Sequence, residues 1–205
     1  MPKISPEQAQ ARRDQIIRAA LVCTARDGFH QTTIQDICRE AELSTGAVYS
    51  YFNSKEEIVR AVADVSYEEN RSFLEEVTQN EDPYQALDEI VNRYFLRPFA
   101  EPHADAFLRV DLNLYAESLR NPEIREVMER NREGIVSQLE NFIKNCQATG
   151  IIAPDRDARA TAQVLFGMHV GMTTQRAVSG NFDVEAYVKS MRKIVGLGLW
   201  VEKNE

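Results

Sequence analysis

Ile17, Ala20, Leu21, Thr24 and Ala25 follow the i, i+3, i+4, i+7, i+8 rhythm of a single α-helical face. Ser5-Pro6-Glu7-Gln8 opens that helix, with serine as the cap, proline at the first helical position and glutamine three residues after the cap; Gly28 closes it. Similar signals recur down the chain. Thr33, with Asp36 three residues later, caps a short helix that buries Ile34, Ile37, Cys38 and Ala41. Ser44 caps a third helix running through Val48 to about Phe52. Ser54-Lys55-Glu56-Glu57 reads as another capping box, opening a long helix through Ile58, Ala61, Val62 and Val65 to about Thr78.

The later starts are as legible. Asp82-Pro83 opens a helix carrying Leu87, Ile90, Val91, Tyr94 and Phe95, and Pro98 and Pro102 break the chain. A helix from about Ala104 carries Phe107, Leu108, Leu114 and Tyr115. Asn121-Pro122 begins a long one with Ile124, Met128, Ile135, Leu139 and Phe142 on one stripe, ending before Gly150. Asp157 and Asp183 cap the last two, with the turn Ser179-Gly180-Asn181 between them. No alternating run bounded by a hairpin turn occurs. The pattern predicts an all-α fold of about nine helices.

Composition narrows the class. Of 205 residues, 43% are hydrophobic and 27% charged, as in ordinary globular proteins. The longest apolar runs, Val164 to Met172 and Ile194 to Val201, fall short of the roughly 18 residues a membrane span needs. No signal-peptide pattern follows Met1, and Cys23, Cys38 and Cys146 form no C-x-x-C pair, so a reduced, cytoplasmic protein without membrane association is expected. His103-x-Asp105 and Cys146 lack further partners at ligand spacing, so no metal is expected. Phosphate-loop, nucleophile-elbow and H-E-x-x-H motifs are missing, so no cofactor and no enzymatic activity are expected.

The net charge of −8 argues against a nucleic-acid partner until its distribution is considered. Residues 1–60 hold eight Lys/Arg and eight Asp/Glu; the remainder carries the whole excess of acid. Lys3, Arg12, Arg13, Arg18 and Arg26 face only Glu7 and Asp14 in the first 26 residues. A neutral head with a basic tip on an acidic body is compatible with DNA binding by the head alone.

The sharpest signal lies between Thr33 and Phe52. Two short helices joined by Ala41-Glu42-Leu43 have the spacing of a helix-turn-helix, whose second helix enters the major groove by its amino-terminal part. In Ser44-Thr45-Gly46-Ala47-Val48-Tyr49-Ser50-Tyr51 the first turn is small or hydroxylated, which lets backbone N–H groups approach a phosphate. Thr45, Tyr49 and Ser50 offer hydroxyls and an apolar ring to base edges. Lys55 stands in the first turn of the fourth helix, where the dipole prefers anions; a phosphate contact explains it. The competing reading is a plain three-helix bundle with Tyr49 and Tyr51 as core aromatics. Val48 and Phe52 already supply the inward face, which favours DNA.

The stretch from Ile16 to Ile58 resembles the DNA-binding domain of the TetR family of transcriptional regulators. The resemblance runs through Ile16-Ile17-x-x-Ala20, Gly28-Phe29, Thr32-Thr33-Ile34-x-x-Ile37, Ala41 and Ser44-Thr45-Gly46-Ala47-Val48-Tyr49 to Tyr51-Phe52-x-Ser54-Lys55-Glu56-x-Ile58. It implies an all-helical homodimer that binds a palindromic operator and releases it when a small molecule occupies the larger domain. Residue by residue, it implies phosphate contacts from Thr33, Ser44 and Lys55 and close backbone approach at Gly46. Thr45 and Tyr49 face the groove, Tyr51 touches the backbone and Gln35 faces DNA. Many members carry an aromatic where Ser50 stands, which leaves base preference there open. Domains are expected at 1–58 (DNA binding) and 59–205 (ligand binding and dimerisation).

Beyond about residue 60 the resemblance is architectural. Gly167 and Gly171, flanked by Leu165, Met168 and Met172, let two helices approach closely, and the last helix offers Val188, Met191, Val195 and Leu199. Paired across a twofold axis, these helices make a four-helix dimer interface; as the alternative, both stripes are monomer core. Asp111 falls towards an apolar face, between Leu108 and Leu114. It either anchors a cationic or hydrogen-bonding ligand, with Tyr94, Phe95, Phe107, Tyr115 and Met168 as walls, or pairs with Arg93, Arg97 or Arg109. The ion pair is the plainer of the two. His169 reads as a satisfied core histidine. The expected function is a ligand-responsive repressor; the alternative is a helical enzyme or interaction module retaining a degenerate helix-turn-helix.

Overall fold

The structure, a computed structural model, describes residues 5–80, 82–93, 104–179 and 181–199. Nine α-helices lie among them: α1 Pro6–Asp27, α2 Ile34–Glu40, α3 Thr45–Tyr49, α4 Lys55–Thr78, α5 Pro83–Val91, α6 Ala104–Ser118, α7 Pro122–Ala148, α8 Ala158–Val178 and α9 Val184–Leu199. The described residues include no β-strand. The all-α expectation holds.

The helix starts follow the cap chemistry. Ser5 accepts from the Gln8 N–H while the Gln8 side chain accepts from the Ser5 N–H, the reciprocal bonding of a capping box. Thr33 and Asp36 repeat it at α2. Asp82, Asp157 and Asp183 each accept a backbone N–H from the first turn of the helix that follows. At α4 the expected box is only half made. Ser54 Oγ accepts from the Glu57 N–H at 3.2 Å, but the Glu57 carboxylate reaches Asn53, taking its backbone N–H at 2.7 Å and its side-chain amide at 3.0 Å. Those bonds hold the Glu57 carboxyl below its usual range.

The chain divides into two compact units, one formed by residues up to Glu68 with Asp105–Arg130, the other by Glu69–Ala104 with residues from Asn131 onward. In the first unit, Ile16, Ala20, Ile37, Val48, Phe52 and Ile58 form a core with Val110, Leu114, Ile124 and Val127 from α6 and α7. Full burial of such an aliphatic or aromatic side chain contributes about 1.5–3 kcal/mol. Polar contacts tie the same unit together. Gln15 donates to the Ala41 carbonyl at 2.7 Å, Arg60 pairs with Glu123 at 3.0 Å, and Arg130 pairs with Asp64. In the turn after α1, Gly28 takes φ +82° and ψ 160°, a conformation open essentially to glycine alone. A Cβ at Gly28 would stand 3.3 Å from Asn113 Oδ1 on α6. The next polar side chain, His30, has Nε2 3.0 Å from the buried carboxylate of Glu117, also on α6.

In the second unit the buried positions come from the latter part of α4 (Phe73, Leu74, Val77), α5 (Ala86, Ile90) and α7 (Val136, Phe142, Ile143). Met172, Val188 and Met191 are buried there as well, on α8 and α9. Arg159 of α8 bridges two α7 carboxylates, Glu133 at 2.5 Å and Glu140 at 3.2 Å. Tyr187 donates its hydroxyl to the Met168 carbonyl, linking α9 to α8.

Candidate nucleic-acid interface

The turn between α2 and α3 fixes how the second helix is presented. The Leu43 N–H donates to the Cys38 carbonyl at 2.9 Å and the Glu42 N–H to the Arg39 carbonyl at 3.2 Å, the paired bonds of a Schellman cap. The left-handed residue that such a cap requires is Glu42, at φ 53°, where glycine is usual. Leu43, which follows it, packs against the core.

α3 then divides cleanly. Val48 is 0% exposed and Phe52 1%, whereas Ser44, Thr45, Gly46 and Ser50 are exposed and Tyr49 is 50% exposed. Phe52 is further held by the Arg13 guanidinium, 4.4 Å from its ring centroid. Tyr51 is half-buried against the core, and Gln35 is exposed at the start of α2. All the DNA-contact candidates (Thr33, Gln35, Ser44, Thr45, Gly46, Tyr49, Ser50, Tyr51 and Lys55) belong to the first unit.

Hydrogen bonding distinguishes them. Ser44 Oγ accepts from the Ala47 N–H and gives its own proton to no described group, so its donor is available to an outside acceptor. Thr45 Oγ1 accepts a weak contact from the Cys38 thiol at 3.8 Å, which leaves its own donor uncommitted. Gly46 has nothing within 4 Å of an added Cβ, so the protein itself does not require glycine there. Three candidates are committed internally. Thr33 gives both its backbone N–H and its hydroxyl to the Asp36 carboxylate, at 3.0 and 2.6 Å. Ser50 donates its hydroxyl to the Ala47 carbonyl at 2.6 Å. Lys55 donates to the carbonyls of Phe29 at 3.0 Å and Thr32 at 3.2 Å and lies over the Phe29 ring. Its place in the first turn of α4 therefore has an intramolecular explanation, and the dipole argument for a phosphate there falls away.

The ligand-pocket candidates are not brought together. Tyr94, Phe95, Arg97 and the side chain of Phe107 lie outside the described residues; Asp111 and Tyr115 are in the first unit and Met168 in the second. Asp111 is partly buried and has no ion pair among the described residues; burial pushes its carboxyl up to about 6. Arg93, a suggested partner, instead lies over the Phe73 ring at 4.4 Å, and Arg109 is exposed.

The dimer candidates differ in what they expose. Met172, Val188 and Met191 are 0%, 4% and 5% exposed within the single chain, so they have almost no surface to give a partner. The side chains of Val195 and Leu199 lie outside the described residues, and Leu165 is half-buried. Gly167 and Gly171, already named for the interface, share an exposed face of α8 with two valines the sequence reading did not name there. Val164 and Val178 are 56% and 81% exposed, and Gly167 and Gly171 stand between them at helical spacing with open space around each. Ile194 of α9 is 62% exposed. The positions 164, 167, 171 and 178 already share one face in the sequence.

No described helix is long and apolar enough to cross a membrane, and the described residues hold no His/Cys/Asp/Glu group suited to a metal ion.

A short, exposed helix presented by a helix-turn-helix defines the class: a DNA-binding protein. Comparison with known proteins specifies it. Residues 16–62 match the tetR family of bacterial regulatory proteins, and residues 83–197 match the BetI-type transcriptional repressor C-terminal family. The chain belongs to the tetR family and is a transcriptional regulator rather than an enzyme. It is 22% identical to the HTH-type transcriptional regulator UidR of Escherichia coli, over 92% of this chain and 93% of that one. It is 28% identical to the HTH-type transcriptional regulator TtgR of Pseudomonas putida, over 82% of this chain and 83% of that one. A crystal structure of a transcriptional regulator from Saccharomonospora viridis in complex with choline shares the fold. Its TM-score is 0.82 and its identity 20%, over 94% of this chain and 100% of that one.

Proposed function

We propose that the protein is a ligand-responsive transcriptional repressor that binds a palindromic operator as a homodimer and is released from it by a small molecule. The division of α3 into a buried side and an exposed side carries this reading: Val48 and Phe52 anchor the helix, while Thr45, Gly46 and Tyr49 are left without structural work. Gly46 lets the helix backbone approach DNA closely, and the uncommitted donors of Ser44 and Thr45 reach phosphate and base. Tyr49 sets its ring against base edges, with Gln35, Ser50 and Tyr51 around it.

One helix-turn-helix reads a half-site, so two copies of α3 must meet successive major grooves roughly 34–36 Å apart. The dimer forms through the exposed face of α8, with Val164, Gly167, Gly171 and Val178 against their counterparts and Ile194 of α9 beside them. Asp111 anchors a cationic or hydrogen-bonding ligand within the first unit, with Tyr115 one helical turn further along α6. The S. viridis neighbour, with choline bound, supplies a precedent for a quaternary ammonium in this fold. To weaken operator binding a hundredfold, the ligand must favour the released conformation by about 2.7 kcal/mol. α4, which starts beneath the helix-turn-helix at Lys55, is the element that transmits the change.

Selection of random duplexes by the purified protein at about 150 mM salt tests the reading, because purely electrostatic binding is weak there. The expected product is a palindrome with half-sites about 10 base pairs apart, bound by two chains. Failure to enrich any sequence, with protein unfolded and refolded to strip carried-over ligand, contradicts it.

A further inference from the structure

An open groove runs between α1 and α3, walled by Gln8, Arg12, Gln15 and Arg18 on one side and by Ser50 and Tyr51 on the other. No carboxylate lines it, in a chain whose net charge is −8. Two of the neutral polar groups in it are already engaged. The Gln15 amide accepts from Arg12 at 2.8 Å and donates to the Ala41 carbonyl at 2.7 Å, and the Ser50 hydroxyl donates to the Ala47 carbonyl.

The arginines of α1 fall into two kinds. Arg13 lies over the Phe52 ring, and Arg26 is paired with Asp27 at 2.8 Å; both serve the fold. Arg12 bonds only to a neutral amide, and Arg18 has no ion pair among the described residues. Both are exposed, and they flank Gln15 about 9 Å apart along the helix axis. A guanidinium held without a counter-charge beside an open trough matches an anion that passes through rather than one enclosed in a cavity. The trough adjoins Tyr49, the exposed ring of α3, through Ser50.

We propose that Arg12 and Arg18 each hold a phosphodiester of the operator backbone along this groove, positioning α3 for base contact. The inference rests on the DNA-binding reading above and adds α1 to the interface. Such contacts set register and affinity and carry no sequence information directly.

The test uses the full-length protein, the selected duplex and a scrambled duplex, with affinity measured from about 50 to about 200 mM salt. Each of Arg12→Gln and Arg18→Gln is expected to lower the slope of log K against log salt by about 0.9 per protomer, or about 1.8 per homodimer. The preference for selected over scrambled duplex stays unchanged. Arg12→Lys and Arg18→Lys, which keep the charge, are expected to retain the wild-type slope. A double glutamine variant with the wild-type slope, or with lost preference at constant slope, overturns the proposal while leaving DNA binding by α3 intact. A wild-type protein that binds no duplex overturns both.

Discussion

The ammonium of Lys55 lies 3.0 Å from the Phe29 carbonyl oxygen and 4.4 Å from the centroid of the same residue's ring. With its second bond to the Thr32 carbonyl, it fastens the start of α4 to the turn between α1 and α2. Charge-assisted bonds of this kind contribute about 1.5–3 kcal/mol where they are shielded from water. Lys55→Met is therefore expected to lower stability by about 1–3 kcal/mol in denaturant unfolding. A variant as stable as wild type contradicts the structural assignment.

Two glycines and one glutamate divide structural from functional backbone. Gly28→Ala forces a side chain into φ +82° and toward Asn113, and is expected to cost about 1–3 kcal/mol. Glu42→Gly relieves the left-handed turn residue and is expected to stabilise by up to about 1 kcal/mol. Gly46→Ala meets nothing in the protein, so stability is expected to hold or rise while DNA affinity falls at least tenfold. Unfolding curves and operator titrations of the three variants check the set. Loss of stability in Gly46→Ala contradicts its assignment to the DNA surface.

Asp111 makes a pH prediction with a definite sign. Its carboxyl is raised from the usual 3.8 to about 6 by burial, so the native state binds the proton more tightly than the unfolded chain. The resulting destabilisation is fully present above about pH 6 and fades as pH falls toward about 4. Asp111→Asn is expected to stabilise by on the order of 1–2 kcal/mol at about pH 7 and by almost nothing at about pH 4. A gain independent of pH contradicts it. As the proposed ligand anchor, the same substitution is expected to remove the response to a cationic inducer.

How far the sequence reaches depends on the range of the interaction involved. Caps are local: Ser5, Thr33, Asp82, Asp157 and Asp183 each bond within three residues, and their helices start where the sequence reading places them. The left-handed turn was hidden because Glu42 occupies a position that glycine normally marks. Lys55 misled because its partners lie 26 and 23 residues away, beyond the reach of helix-dipole reasoning. On α8 the difficulty was symmetry. Both sides of the helix carry apolar residues, and nothing in their spacing says that Met172 faces its own chain while Val164 faces solvent. The hydroxyls of Thr33 and Ser50 looked available by residue type, but local bonds to Asp36 and Ala47 had already engaged them.

The dimer reading has a direct test at α8. Gly167 is exposed, with open space where a Cβ would stand, so Gly167→Leu is expected to be tolerated by the monomer while separating two helices that pack through it. Sedimentation is expected to show a dimer for wild type and a monomer for the variant, with unchanged helical content. A dimer in both removes this face from the interface.

The central claim is that the exposed side of α3 reads DNA, and Tyr49 is its most exposed large side chain. The most direct measurement compares wild type with Tyr49→Ala for affinity to the selected duplex and to a scrambled one, across a salt series. The expected result is at least a tenfold fall in the preference ratio, corresponding to about 1.4 kcal/mol, with the salt slope unchanged. A preference ratio equal to that of wild type contradicts the account.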